Sequence, residues 1–524
     1  MAEIEQPLST PSNQPIPNPP LPLGPGSMRR LAGGGFSWLT ISLIAGRALG
    51  VIAQLILGRI LSEADFGVFA VVVSIATLVR VFADGGVPQV LVQRGEEDFR
   101  RLTGPGFWLS AVSSFTVGLL LAIAAPVIAW FYDDPQLTLL LLIVAAALPL
   151  TAPAAMMRAK LRINFEFRTL ALIAFGWVAI RHIASVSFAA LGLGVMSLVL
   201  PLLLSVCFEG IVAFWVTRFK PWLQRPQIKA WPEIMRSSLW VVLASGCRGL
   251  TRTGDYLVLG MLTSQSTVGQ YYFGYLITTQ IVEMLASNLQ QVAFPIMSKL
   301  ANEPERQSRA IIRTIRMLVF VAAPTSLALA CIVRPTIEFL DATIWNGKWT
   351  DAIPLMQILA IAAPVRMFTE VLNAALSSRG RFGAAARLML LEGLLLMAAA
   401  ALAVSLVGDQ LTGIAAVIAV SQAVFSMGAG AWTLREFGIS PSTFFTAFLP
   451  SWLIAIACGA FALVATLPLN EGASPFVIIA LRLAAYAIAF GALAKLLLAS
   501  EISDLMSSLP STFTDRFLRR PTNQ

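Results

Sequence analysis

The sequence predicts an all-α polytopic membrane protein of about 14 transmembrane helices, and three observations carry that prediction. Apolar residues make up 57% of the 524 and charged residues only 12%, with a mean hydropathy of +0.77. A soluble domain carries about twice that charge fraction. Windows of roughly 20 apolar residues, the length that crosses a bilayer, recur fourteen times. Lys and Arg then cluster in alternate connecting segments, as membrane topology requires.

The chain opens on residues 1–30, whose eight prolines and lack of an apolar core read as a solvated Pro-rich cytoplasmic tail, not a cleavable signal. Met28, directly before Arg29 and Arg30, is a second possible start. Spans are expected near 36–58, 66–86, 105–129, 136–157, 169–190 and 193–217, forming an N-terminal six-helix lobe over 31–218. A cytoplasmic linker, 219–236, contains Pro221, Pro226 and Pro232. Spans near 237–260, 270–295, 314–333, 352–375, 384–407 and 412–433 form a second six-helix lobe over 237–435. Two more spans, 444–467 and 475–499, occupy 436–500, and 501–524 form a cytoplasmic tail. The turns between 190 and 193 and between 407 and 412 are very tight.

With both termini cytoplasmic, 25 of the 37 Lys and Arg lie in inner segments and three, Arg59, Arg334 and Lys348, in outer ones. A wrong helix count would scramble that split. The formal charge of +9 is therefore topology and not a nucleic-acid surface, and the expected setting is a bacterial inner membrane. The four cysteines lie far apart within spans and His182 is the only histidine, so neither a disulfide framework nor a metal site follows. No cofactor is expected. The longest outer loop, about Arg334 to Asp351, is too small for a catalytic domain, and no Gly-rich phosphate loop ending in Gly-Lys-Ser/Thr is present. The chain reads as a transporter, expected to be a monomer, and not as an enzyme.

An internal repeat crosses the linker. Leu57-Gly58 ends the first span and Gly67 opens the second; Leu259-Gly260 ends the seventh and Gly269 opens the eighth, with an offset of 202. The same offset places Gln89-Val90 on Gln291-Val292. Six helices per half leave the halves in one orientation, related by an axis along the membrane normal with a ligand site between them.

Arginines inside apolar spans are the sharpest functional signal. Arg47, Arg80, Arg181, Arg248, Arg252, Arg366 and Arg482 sit where a charge costs a few kcal/mol unless it faces a polar interior. Helical spacing puts Arg80 with Asp84, Arg252 with Asp255 and Arg366 with Glu370 on shared faces. Such pairs either lock helices together or line a cavity. Arg47 and Arg248 have no acid three or four residues away, so anion binding is favoured for them. Arg252 is expected to pair with Asp255. Guanidinium suits a diphosphate through planar, two-pronged contacts. Asp84, Asp255, Glu283 and Glu392 are candidates for ion or proton coupling, since burial raises a carboxyl pKa.

The run Gly58 to Ala70 (GRILSEADFGVFA) resembles the N-terminal hairpin of polysaccharide transporters in the multidrug/oligosaccharidyl-lipid/polysaccharide exporter superfamily. The runs from Phe82 to Arg94, Phe165 to Ile173, Asp255 to Gly260 and Phe294 to Leu300 fit the same pattern. The resemblance implies a flippase moving undecaprenyl-diphosphate-linked oligosaccharides between leaflets by alternating access, with a polysaccharide polymerase or co-polymerase as possible partner. It assigns the diphosphate to Arg47 and Arg248, with Arg80, Arg252 and Arg366 assisting, and a polyprenyl groove to the last two spans. A drug/cation antiporter of the same superfamily is the alternative reading, and a membrane glycosyltransferase or polymerase a more distant one.

Overall fold

The computed structural model describes residues 25–469 and 473–497, with side chains described throughout except at 25–37, 39, 40, 281, 283–292 and 469. The C-terminal tail and residues 1–24 lie outside the described residues, whereas 25–30, expected as the end of the N-terminal tail, already form the start of a helix. The described chain is all helix, without a strand.

In the first half, α1 (Pro25–Ile60) and α2 (Glu63–Asp84) meet at a turn built around Ser62. The Ser62 hydroxyl accepts from Asp65 N while Asp65 accepts from Ser62 N, a reciprocal cap that starts α2. At its far end Gly85 and Gly86 both take positive φ, 58° and 66°, which a side chain would resist. They turn the chain sharply into the short α3 (Val87–Arg94). Then follow α4 (Glu96–Phe131), α5 (Gln136–Ile163), α6 (Phe167–Ala190) and α7 (Met196–Thr217).

Beyond two short 3₁₀ turns in the Pro-rich linker, α8 (Trp231–Leu262) and α9 (Gln265–Lys299) repeat the first hairpin. Ser264 caps α9 through Thr267 N, 202 residues after Ser62 caps α2. The rest are α10 (Pro304–Leu340), α11 (Ile353–Arg366), α12 (Phe368–Ser378), α13 (Phe382–Val407), α14 (Leu411–Thr433), α15 (Pro441–Thr466) and α16 (Pro475–Leu497). The two tight turns predicted around 191 and 409 are real connections.

One expected span, 352–375, is split at Met367 into α11 and α12. Pro364 removes a backbone donor one turn before the break. The carbonyl it orphans, Ala360 O, accepts from the Ser326 hydroxyl of α10 instead, so the interruption leaves no unpaired group there. Among the described residues, twelve helical segments are long and apolar enough to cross a membrane. The expected seventh and eighth spans, α8 and α9, match them in length but are too polar to qualify on composition alone. Both are packed within the bundle.

Two lobes result. In the first, α4 packs on α5, α5 and α6 on α7, and α1 along α6. In the second, α8 packs on α13, α10 on α11 and α15, and α15 on α16. Outward faces are apolar: Phe115, Ile123, Val424 and Ile488 are exposed, as lipid-facing residues should be. The lobes join through α2, which packs on both α8 and α9.

Their closest approach is at the hairpin end. A Cβ on Gly67 would lie 1.9 Å from Gln265 O, and one on Gly269 would lie 1.8 Å from Glu63 O. The two repeat-related glycines thus let α2 and α9 cross backbone to backbone. The loop after α10 seals this crossing. Trp349 stacks on Phe273 with centroids 3.8 Å apart, and Phe66 meets both rings edge-on. Trp345 Nε1 donates to Leu55 O (2.8 Å), Trp349 Nε1 to Gly58 O (3.2 Å), and Lys348 Nζ to Arg59 O (3.0 Å) and Leu61 O (3.1 Å). Buried aromatics are worth about 0.5–1.5 kcal/mol per ring pair beyond the area they bury. The hairpin end is therefore a closed, cemented gate.

Candidate functional site between the lobes

Away from that gate the hairpins splay. α1 leans on α6 and not on α2, while α9 leans on α10, α11 and α12 more than on α8. α1, α2 and α8 carry the predicted arginines Arg47, Arg80, Arg248 and Arg252 within their helical lengths.

Arg47 is exposed on α1, and its Nη1 donates to Gln280 Oε1 of α9 at 3.4 Å, bridging the lobes. Arg248 on α8 has a side chain 44% exposed and lies 3.9 Å from Glu370 on α12. That separation is at the outer edge of ion pairing and leaves most of its five N–H donors free for a ligand. Arg366 ends α11, donates from Nη2 to Thr251 O at 2.6 Å, and lies 5.2 Å from the Tyr275 ring centre. The helix break thus supplies Arg366 with two supports, from α8 and α9. Arg80 sits 4.0 Å from Asp84 one turn below it, and Asp84 also accepts from Thr151 Oγ1 at 3.4 Å.

The expected pair between Arg252 and Asp255 does not form. Arg252 is exposed with no ion pair among the described residues, whereas Asp255 is buried and accepts from Tyr271 Oη at 3.0 Å and from the adjacent Tyr256 N. A shared helical face put the two on one side of α8, but packing of α9 delivers a tyrosine to the carboxylate first. Glu392 of α13 is also buried, accepting from Thr369 Oγ1 (3.0 Å) and Gln422 Nε2 (3.4 Å). The side chain of Glu283 lies outside the described residues.

Two other embedded arginines take different places. Arg482 is buried, donating to Cys331 O and Thr466 Oγ1, which ties α16 to α10 and α15. Arg181 lies over the ring of Trp177, 5.6 Å from its centre.

Sequence reasoning missed three participants. Glu370 was read as a neighbour of Arg366, yet it reaches Arg248 from another helix. The span expected over 136–157 leaves Arg158 and Arg162 in the following inner segment, but α5 continues to Ile163, with Arg158 half-buried and Arg162 exposed. There they line a cavity of about 430 Å³ together with Arg80, Asp84 and Glu209. Their i,i+4 spacing in an unbroken helical stretch was the available signal.

The arrangement sets one guanidinium on α1 and one on α8, each with a single polar partner on another helix among the described residues, and such groups can hold an anion.

Comparison with known proteins bears on this geometry. A profile described as "Polysaccharide biosynthesis protein" matches residues 56–354. The teichuronic acid biosynthesis protein TuaB of Bacillus subtilis (strain 168) is 24% identical over 438 residues, covering 81% of this chain and 87% of that one. The structure of the lipid II flippase MurJ in an inward closed conformation superposes with a TM-score of 0.70 at 13% identity, covering 88% of this chain and 99% of MurJ. An inward-facing multidrug resistance MATE family transporter of the MOP superfamily superposes with a TM-score of 0.63 at 15% identity, over 76% and 98%. The fold is that of these two-lobe transporters.

Proposed function

The chain belongs to the polysaccharide biosynthesis protein family, and from that premise we propose that it is a flippase for lipid-linked oligosaccharide repeat units. Its substrate is an undecaprenyl-diphosphate-linked sugar, carried across a bacterial inner membrane for exopolysaccharide or lipopolysaccharide assembly. Both termini are cytoplasmic, so the gate at Gly67 and Gly269 faces outward and the splayed side faces the cytoplasm.

What supports the reading is one guanidinium from each lobe with only a weak protein partner: Arg47 on α1 reaches Gln280 of α9 at 3.4 Å, and Arg248 on α8 stands half-exposed 3.9 Å from Glu370. A diphosphate entering from the splayed side would replace Gln280 as the partner of Arg47 and draw Arg248 away from Glu370, with Arg80, Arg252 and Arg366 nearby. Charge-assisted contacts of this kind are roughly twice as strong as neutral ones. Gathering guanidiniums from both lobes around one anion favours the compact state in which the gate can reopen outward. The family profile and the similarity to TuaB support the same class of cargo. Asp84, Asp255, Glu283 and Glu392 are proposed as sites of proton or ion coupling. The protein acts as a transporter, as a monomer, handing its cargo to a polysaccharide polymerase or co-polymerase.

A drug/cation antiporter shares the fold, but a cationic cargo would be repelled by an interior rich in arginine. The test is complementation of polymer export in a host lacking this protein. Arg47→Ala and Arg248→Ala should insert normally and lose export. Wild-type export by both variants would overturn the assignment.

A further inference from the structure

The linker at 219–236 is fastened to the first lobe, and the first turns of α8 continue that attachment. Trp108 Nε1 of α4 donates to Gln224 O (2.9 Å), and a Cβ on Gly104 would lie 2.5 Å from Arg225 O. Phe219 and Trp222 pack against first-lobe cores. Ile234 of α8 is fully buried in a cluster with Val87, Leu91, Phe99 and Leu102 of α3 and α4. Glu233 pairs with Arg94 of α3 and lies 3.7 Å from Arg101 of α4, while Ser237 Oγ accepts from Arg94 Nη2 at 2.9 Å. A Cβ on Gly86 would lie 3.2 Å from Ser238 O and 3.0 Å from Val241 Cβ.

Further along, α8 is held by the second lobe. Arg248 lies near Glu370 of α12, Thr251 O accepts from Arg366 Nη2, and Asp255 accepts from Tyr271 Oη. A Cβ on Gly393 of α13 would lie 2.7 Å from Leu250 Cβ, and one on Gly254 would lie 3.0 Å from Met397 Cγ. The last contacts of α8 with the first lobe, Leu257 O with Tyr132 Oη and Gly260 with Val71, belong to the closed outer crossing. Between the two attachments, from 239 to 248, no residue of α8 is buried. Ser245-Gly246 falls in this stretch, and a Cβ on Gly246 would meet nothing within 4 Å.

We infer that the division between the lobes runs through α8 and not through the linker. Residues 231–241 travel with the first lobe, residues 250–262 with the second, and the helix bends at Ser245-Gly246 as the lobes rock. The inference rests on the alternating access proposed above, but not on the cargo. Helix kinks concentrate at Pro and at Gly/Ser pairs, and a segment with few buried contacts opposes little of the backbone change. Arg248 follows the pivot by two residues, so bending re-aims its guanidinium while the anchor at Arg94, Glu233 and Ile234 stays intact.

The test needs no cargo. Spin labels go on Met235→Cys of α8, Leu172→Cys of α6 and Phe382→Cys of α13, all exposed, two at a time in the full chain lacking its four native cysteines. Distances are read in the wild type and in Gly67→Ala, whose Cβ would lie 1.9 Å from Gln265 O and force the outer crossing apart. The α8–α6 distance should stay one narrow population in both proteins, while the α8–α13 distance gains a second population in Gly67→Ala. Adding Gly246→Ala should shrink that second population about fivefold, the factor set by the difference in helix propensity between Gly and Ala. Gly210→Ala, at an equally open glycine of α7, should leave it unchanged. The inference fails if the α8–α6 distance splits while α8–α13 stays single, which would make α8 a rigid part of the second lobe. It fails equally if neither distance changes, or if Gly246→Ala behaves as Gly210→Ala does.

Discussion

Replacing Gly67 with alanine should open the outer gate. Its Cβ would lie 1.9 Å from Gln265 O, and real Cβ atoms essentially never come within 3.0 Å of such an atom. The crossing of α2 and α9 must therefore widen by 1.1 Å, the difference between those two distances. Glu63 accepts from Gln270 Nε2 at 2.7 Å and from the Ser266 hydroxyl across the same crossing. A further 1.1 Å takes the first contact to 3.8 Å, past hydrogen-bonding range. Bonds to a charged group contribute about 1.5–3 kcal/mol when buried. Two at a partly exposed rim give a combined loss of about 2–3 kcal/mol, which shifts the closed-to-open ratio roughly 30- to 150-fold. Spin labels on Ile60→Cys and Leu262→Cys, both exposed beside the gate, in a background lacking the four native cysteines, would report it. Gly67→Ala should add or enlarge a long-distance population while the protein stays folded. An unchanged distance distribution would refute the claim that the glycine pair holds the gate shut.

Three more outcomes follow from the same geometry. Trp349→Ala should cost about 3–5 kcal/mol, as for other fully buried large aromatics, and lower the melting temperature in detergent; a change under 1 kcal/mol would show that the loop does not cement the gate. Tyr132, just beyond α4, donates its hydroxyl to Leu257 O (3.0 Å), and burial pushes its pKa from 10.0 up to about 12. The folded state favours the neutral phenol, so its contribution is complete below pH 10 and lost as pH rises toward 12. Tyr132→Phe should flatten that part of the stability profile, and an identical profile would exclude this contact as its source. Reporter fusions after residues 265 and 345 should read periplasmic, and a cytoplasmic signal at either would break the topology.

The helices were legible because bilayer length and charge segregation constrain them tightly. Each expected span corresponds to one helix, or in the case of α11 and α12 to a pair. The repeat was legible too, down to the glycines, although a one-dimensional offset did not reveal that Gly67 and Gly269 meet each other. What stayed hidden depends on contacts between helices. The spacing of Arg252 and Asp255 suggested a pair, but Tyr271 reaches the carboxylate from α9. Glu370 looked like a partner for Arg366 until the break at Met367 turned it toward Arg248. The seventh helix is less apolar than the other spans because it carries Glu233, Arg236, Arg248, Arg252 and Asp255, and the eighth because of its run of Gln, Ser, Thr and Tyr. Arg158 and Arg162 were masked by the rule that assigns basic residues near a span end to the loop.

The most direct test of the account measures transport itself, in proteoliposomes containing only this protein and a fluorescent undecaprenyl-diphosphate oligosaccharide. The fraction of label shielded from an external quencher should equilibrate quickly with the wild type. With Arg47→Ala or Arg248→Ala, matched for insertion and melting temperature, it should equilibrate ten- to a hundredfold more slowly, as expected for loss of one charge-assisted contact of about 1.5–3 kcal/mol. Equal rates in all three proteins would contradict the claim that guanidiniums from both lobes carry the diphosphate across.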